Sequence, residues 1–288
     1  MQLTSEAPAS IRSSAERPGP IGLVREGLAD ILSRKRLIAY LVQADLKKKG
    51  ADTLFGNIWW VLDPLLQMAV YVVLVSVIFQ RTTEDYPLFI FSAVLPWKWF
   101  STAIQDGTSS VVSQERLIKQ IHFPKLVLPV AAVSAGIVNF AFGMIPLMGL
   151  LLVFYSHRFS EWLFVIPVIA LVQFLFTLPV TIALSALNVF YRDIGNVSRH
   201  VLRLWFYLSP GLYAIDQLRT ISASNRIIGD ILLINPFAIL FTAYRDVIYN
   251  EHAPDWVALG GLALASLVLL LLATYLFKRV EPSFAKVL

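Results

Sequence analysis

Residues 127–155 read VLPVAAVSAGIVNFAFGMIPLMGLLLVFY, a run without a single charged side chain. A helix needs ~20 apolar residues to cross ~30 Å of hydrocarbon, and this run exceeds that length. Comparable stretches lie at 58–80, 88–112, 162–190 and 256–277, and a shorter, interrupted one at 204–213 with its flanks. Backbone N–H and C=O groups in lipid must be satisfied within the segment, so stretches this apolar fold as helices. The chain is therefore expected to be an all-α integral membrane protein with six transmembrane helices.

The basic residues alternate between the two sides of these stretches. Of the 24 Lys and Arg, nine fall in 1–56 and three each in 113–126, 191–203 and 278–288. The opposite side carries Arg81, Arg158, Arg219, Arg226 and Arg245, outweighed there by acids such as Glu84, Asp85, Asp230, Glu251 and Asp255. Basic loops stay in the cytoplasm, so both termini are expected to be cytoplasmic in a multi-pass bacterial inner-membrane protein. The net charge of +5 is then first a topology signal, and no aromatic-interleaved basic cluster points to nucleic acid. Hydrophobic residues make up 57% and charged ones 15%, too few charges for a soluble domain. The absence of cysteine excludes disulfides and thiolate metal sites, and His122, His157, His200 and His252 have no ligand spacing. No apolar leader core precedes the first span, which is expected to serve as its own insertion signal.

Three regions follow. Residues 1–20, rich in Ser, Ala and Pro, read as a disordered cytoplasmic tail, 21–56 as an amphipathic interface helix and linker, and 57–288 as the transmembrane domain. Between Ile21 and Leu46, apolar residues recur at helical spacing with Arg25, Arg34, Lys35 and Arg36 between them, the pattern of a helix lying in the membrane interface. Lys47-Lys48-Lys49-Gly50 ends it, and Gly56-Asn57 breaks the chain before the boundary tryptophans Trp59 and Trp60. Residues 113–129 are cytoplasmic and helical up to Phe123, with Leu117, Ile118 and Ile121 on an apolar side and Glu115, Arg116 and Lys119 on a polar one. Within 214–254, Ile227–Leu233 and Pro236–Ile248 are apolar but too short to cross, as expected of re-entrant or interfacial helices.

Only Asp63, Lys98 and Asp106 are ionisable within the spans, and such residues are functional candidates. Asp63 also lies near enough to the boundary to reach cytoplasmic water. Lys98 and Asp106 share a helix face but stand ~12 Å apart along it, too far to pair. No carboxylate chain runs through the spans, which argues against an ion-coupled carrier. Trp97, Trp99 and Phe100 cluster beside Lys98 and the kinking residue Pro96, and Trp205, Phe206 and Tyr207 cluster in the fifth stretch. Such rings either pack between helices and lipid or offer flat faces on which a sugar chain stacks weakly while it slides. No phosphate-cradling G-x-x-x-x-G-K-[ST] and no H-E-x-x-H or G-x-S-x-G is present, so enzymatic work by this chain is unsupported.

Several motifs carry a resemblance. Asp45-Leu46-Lys47 with Thr53 through Leu65 (TLFGNIWWVLDPL), Leu95-Pro96-Trp97, Leu117-Ile118-Lys119 and Phe123-Pro124-Lys125-Leu126 occur in that order. Asn188-Val189-Phe190-Tyr191-Arg192-Asp193, Ser209-Pro210-Gly211-Leu212-Tyr213, Asn235-Pro236-Phe237 and Tyr244-Arg245-Asp246 follow. Together they resemble the ABC-2 type polysaccharide-export permeases, the membrane subunits of O-antigen and teichoic-acid exporters. The segment Lys47 to Asp52 departs from the usual version and looks like that of cell-wall galactan exporters. The resemblance implies a homodimer with a channel on its axis, joined by two separate ATP-binding cassette subunits that carry the ATP and Mg, with no cofactor in this chain. The substrate implied is a polyprenyl-diphosphate-linked polysaccharide drawn from the membrane lipids. It implies substrate-channel roles for Trp97, Lys98, Trp99, Phe100, Trp205, Phe206 and Tyr207, and a diphosphate portal at Lys47, Lys48, Lys49, Trp59 and Trp60. It further implies ATPase coupling through Glu115, Arg116, Leu117, Ile118, Lys119, Ile121 and Phe123, and an outer gate at Asn235, Pro236, Tyr244, Arg245 and Asp246. Two other readings share the pattern: a multi-span enzyme acting on polyprenyl-linked glycans, with Arg245-Asp246 as its best pair, and an ABC-2 exporter of drugs or small lipids.

Overall fold

The computed structural model describes residues 18–51, 53–78, 84–121, 123–213 and 235–288. The described residues are helical throughout, without a strand. Five helices are long and apolar enough to cross a membrane: Trp59–Ile78, Tyr86–Ser110, Val127–Val153, Glu161–Phe190 and Trp256–Val287.

The N-terminal region is two helices rather than one, α1 (Pro20–Ser33) and α2 (Lys35–Gly50). They meet at Arg34, whose φ of −103° and ψ of 23° leave the helical region. Ser33 Oγ donates to the carbonyl of Asp30, one of the local bonds by which serine loosens a helix. Gly27 of α1 lets the helix backbone close on its neighbours, because a Cβ there would lie 2.5 Å from Thr274 Cγ2. The first crossing helix, α3 (Trp59–Val72), follows a turn in which Gly56 takes a φ of +52°, a conformation that favours glycine. It continues through a π-helical stretch at Val73–Ile78 and leaves Leu66, Val70, Val73 and Val77 exposed along one stripe.

The centre of the bundle is α4 (Tyr86–Ser110), which packs against α3 and every later long helix except the last. A short helix, α5 (Glu115–Gln120), leads to α6 (Val127–Val153), and a tight turn connects α6 to α7 (Ile166–Phe190). Close approach is built in at Gly107 of α4, where a Cβ would lie 2.0 Å from Thr181 Cγ2 of α7.

The fifth stretch starts earlier than its hydropathy suggests. α8 spans Ile194–Leu208, ten residues before the apolar stretch begins, because the Asn188 side chain accepts from the Gly195 N–H and caps its first turn. At ~1.5 Å per residue its 15 residues reach about 22 Å, short of a crossing. It stops at Ser209-Pro210-Gly211. The expected disordered tail up to residue 17 and the short helix at 227–233 lie outside the described residues. Of the two short apolar segments between the fifth and sixth stretches, α9 (Pro236–Ile248) is a helix. It is sunk into the bundle, with Phe237, Phe241 and Tyr244 fully buried against α4, α7 and the last helix. That last helix, α10 (Trp256–Val287), is N-capped by Asp255 and runs well past residue 277.

Candidate functional site

The ionisable residues of the spans are paired, and their partners come from other helices. Lys98 Nζ of α4 lies 2.5 Å from Asp63 Oδ2 of α3. Lys49 Nζ of α2 lies 2.6 Å from Asp106 Oδ2 of α4 and 2.8 Å from Asp45 Oδ2. Burial works against the charge on Lys49, but Asp106 and Asp45 outweigh it and hold its pKa above the usual lysine range. A spacing argument within one helix finds neither pair, since Asp63 and Lys98 are far apart in sequence. Both pairs line one cavity of about 250 Å³, shared with Trp59, Trp60, Trp99 and Asn139. The Trp99 indole N–H and the Asn139 carbonyl oxygen are buried there without a hydrogen-bond partner among the described residues. This cavity unites Lys49, Trp59 and Trp60, expected at a portal, with Lys98 and Trp99, expected in a channel. Lys47 and Lys48 remain outside it, exposed at the end of α2.

The other aromatic residues are gathered but not open. Trp97 packs on Phe100, Trp205, Phe206, Phe237 and Phe241, with centroids 4.7–6.3 Å apart. Trp97, Phe100 and Phe206 are at most 5% exposed and form a wall between α4, α8 and α9; Phe100 and Trp205 also border an apolar cavity of about 130 Å³. Phe176 and Phe237 belong to this wall but were not among the expected channel residues, because nothing in a helical apolar run marks which ring turns inward. Tyr207 points the other way and is half-exposed.

The residues expected to form an outer gate act as ties. Asn235 Oδ1 accepts from Trp205 Nε1 at 2.9 Å and from the Phe237 N–H, while its Nδ2 donates to Ser209 Oγ at 2.7 Å. Arg245 is buried, lies 3.8 Å over the Phe89 ring, and donates to the carbonyls of Pro210, Gly211 and Tyr213. Pro236 opens α9, Tyr244 is fully buried, and Asp246 accepts from the Asn250 side chain. Nearby, on the side expected to be external, Asp85 accepts from Arg158 Nε at 3.0 Å and lies 3.0 Å from His157 Nε2. Burial would raise the Asp85 carboxyl, yet these bonds hold it below the usual carboxylate range.

In the segment expected to couple to an ATPase, the helix ends at Gln120 and Ile121 is extended. Ile118 is buried against the chain's own core, so the three-residue apolar face does not form; Ile121 is the member left exposed. Phe123 also packs on the core. Glu115 and Lys119 bond each other at 2.8 Å, which lowers the Glu115 pKa, and Glu115, Arg116 and Leu117 rim an open bowl with Gln114 and Gln120.

No family model matches the chain. The O-antigen export system permease protein RfbA of Myxococcus xanthus is 34% identical over 266 residues, covering 92% of this chain and 99% of that protein. The chain belongs to the ABC-2 type O-antigen exporter permeases. Two permeases of the same name from Klebsiella pneumoniae are 26% identical over 252 residues, 88% of this chain and 95% of theirs. The chain is thus a transport permease subunit and not an enzyme, which removes the glycan-enzyme reading.

One cluster of this ABC-2 permease was hidden in the basic C-terminal count. Lys278 of α10 is buried, with Nζ 2.9 Å from Asp30 Oδ2, 3.1 Å from Glu26 Oε1 and 2.9 Å from Glu281 Oε2. Glu281 Oε1 accepts the Lys125 backbone N–H at 2.7 Å. A single ammonium thereby joins α1, α10 and the chain between α5 and α6.

Proposed function

We propose that this permease exports a polyprenyl-diphosphate-linked polysaccharide, O-antigen or galactan-like, as a homodimer driven by two ATP-binding cassette subunits. In this reading both termini are cytoplasmic, and the stretch 204–213 with its flanks makes the sixth span. The regions 1–20, 21–56 and 57–288 serve as tail, interface element and transmembrane domain.

One observation carries the reading of the substrate. The side chains of Lys98 and Asp63 are 39% and 49% exposed on helices that are otherwise apolar. A charge facing hydrocarbon at a helix centre costs roughly 2.5–3.5 kcal/mol on the insertion scale. This flank of α3 and α4 therefore faces water, a polar headgroup or protein. Three tryptophans and two cation–carboxylate pairs around one cavity suit a ligand that is both anionic and glycosylated. Lys47 and Lys48 add cationic charge at its cytoplasmic end. The wall of Trp97, Phe100, Trp205 and Phe206 backs the path, and Lys98 and Trp99 meet it. The names of the relatives support O-antigen as the cargo class.

The test is ATP-driven transport of a defined lipid-linked glycan into vesicles holding the permease with its ATPase. Lys98→Met and the double change Trp59→Ala with Trp60→Ala are each expected to slow export at least tenfold. Export at the wild-type rate in both variants would refute the role given to this cavity.

A further inference from the structure

The two lysines of the cavity are already occupied, each by a carboxylate from a different helix. Lys98 of α4 holds Asp63 of α3, and Lys49 of α2 holds Asp106 of α4. An anion arriving in the cavity therefore competes with a carboxylate for each ammonium, and each carboxylate it displaces removes one polar tie to α4. The mechanical consequence is unequal. α4 is the most buried of the long helices, whereas α3 is largely exposed and runs into a π-helical stretch. Asp63 also precedes Pro64, which removes a helix hydrogen bond beside it.

Resting on the export reading above, we infer that Asp63 and Asp106 act as built-in competitors for the substrate's diphosphate, and that its arrival exchanges Lys98 from Asp63 to phosphate and frees α3 to swing from α4. The exchange replaces one anion by another at the same ammonium, so the part-exposed Lys98 is never left without a counter-charge on its apolar helix, which is the costly alternative. The tethered carboxylate competes at the high local concentration of an intramolecular partner. A singly charged phospholipid headgroup meets that competition with one negative charge, whereas a diphosphate engages both lysines and prevails. The Trp99 N–H, buried and unpartnered, adds a donor to the incoming oxygens. The aspartates thus set two properties: discrimination against bulk phospholipid, and a hold loose enough for release.

The experiment uses the full chain in phosphatidylcholine nanodiscs and follows quenching of its tryptophan fluorescence by farnesyl diphosphate, inorganic pyrophosphate and phosphatidylglycerol. Wild type is expected to bind farnesyl diphosphate more tightly than either other ligand. Asp63→Asn is expected to tighten farnesyl diphosphate about fivefold, the scale of one partly exposed ion pair, and to gain measurable affinity for phosphatidylglycerol. Lys98→Gln is expected to lose binding with or without Asp63→Asn. Unchanged or weaker binding in Asp63→Asn overturns the competition, and equal affinity for pyrophosphate overturns a lipid-borne ligand. A second measurement leaves both aspartates native: spin labels at Val70 of α3 and Gln105 of α4, both exposed, should move apart when farnesyl diphosphate is added, and an unchanged distance overturns the release of α3. Vesicle transport separates the two readings. Export with no effect of Asp63→Asn on binding refutes the competition alone, while the predicted binding pattern without glycan export refutes the export reading alone.

Discussion

Replacing Arg245 by Met separates a structural tie from a gate. The guanidinium stands beyond the C-terminal end of α8, where helix carbonyls lack partners and a cation is favoured. It comes from α9 and donates to Pro210, Gly211 and Tyr213, two of them buried residues. Met keeps most of the stem but removes every donor and the guanidinium that stacks on Phe89. Each buried carbonyl left without a partner costs about 1–3 kcal/mol. The guanidinium's own desolvation is avoided in the variant and offsets part of this, so a net loss of about 3–5 kcal/mol is expected, as when one partner of a buried ionic contact is removed. At about 2–4 °C per kcal/mol for a chain of this size, the midpoint of thermal unfolding should fall by roughly 10 °C. The assay is fluorescence-detected unfolding in one detergent at one heating rate. Arg245→Lys, whose ammonium reaches fewer carbonyls, should fall between the two. A midpoint for Arg245→Met within about 2 °C of wild type, together with impaired export, would refute the tie and restore Arg245 to the substrate path.

Lys278→Met leaves Glu26, Asp30 and Glu281 without their shared cation, so α1 should undock and limited trypsin should cut at Arg25 or Arg34 in the variant before it does in wild type. Ile118→Asp buries a carboxylate and should prevent stable folding, whereas Ile121→Asp, at an exposed position, should shift stability by no more than about 0.5 kcal/mol yet lower the ATPase activity of the complex; equal stability of the two variants would contradict the burial of Ile118. Asp85 titrates lower in the folded protein than in the unfolded chain, so its stabilisation is complete above the ordinary carboxylate pKa of 3.8 and disappears as pH falls through the lower folded value. Wild-type stability should therefore drop more steeply below about pH 4 than that of Asp85→Asn, measured as unfolding midpoints across a pH series.

Five of the crossing helices were legible because length and apolarity are properties of a continuous run. α8 was legible only in its last third. Arg199, His200 and Arg203 interrupt its hydropathy, yet all three lie on its exposed face while Ser198, Leu202 and Phe206 turn inward. The break at Arg34 rests on local backbone geometry that helical periodicity passes over. The cavity was legible as residue types but not as a constellation. Asp63, Lys98 and Asp106 stood out as charges in apolar runs, but their pairing depends on how α2, α3 and α4 meet in space. Aromatic residues were the least legible, since Trp97 in a packed wall and Trp99 beside a cavity look alike in sequence. Lys278 was missed for a related reason: at the end of an apolar run a lysine reads as an orienting charge, whatever it bonds.

The polar ties share a geometry that bears on how an ATPase stroke would spread. Apolar contacts between helices gain little over contacts with lipid tails, so packing alone does not strongly favour one helix arrangement. Hydrogen bonds and ion pairs do discriminate, because they are made or lost over a short distance. In this protein two of them join the N-terminal helices to the bundle: Lys49 ties α2 to α4, and Lys278 ties α1 to α10 and, through Glu281, to the backbone at Lys125. α5 lies between α4 and that backbone contact. A push on α5 from a cytoplasmic partner would therefore bear on the end of α4 and on the Lys278 cluster together, reaching the helix that holds Lys98 without any change in the buried aromatic wall. Export in this scheme needs the wall to stay packed and the ion pairs to exchange, in keeping with buried rings on one side and part-exposed charges on the other.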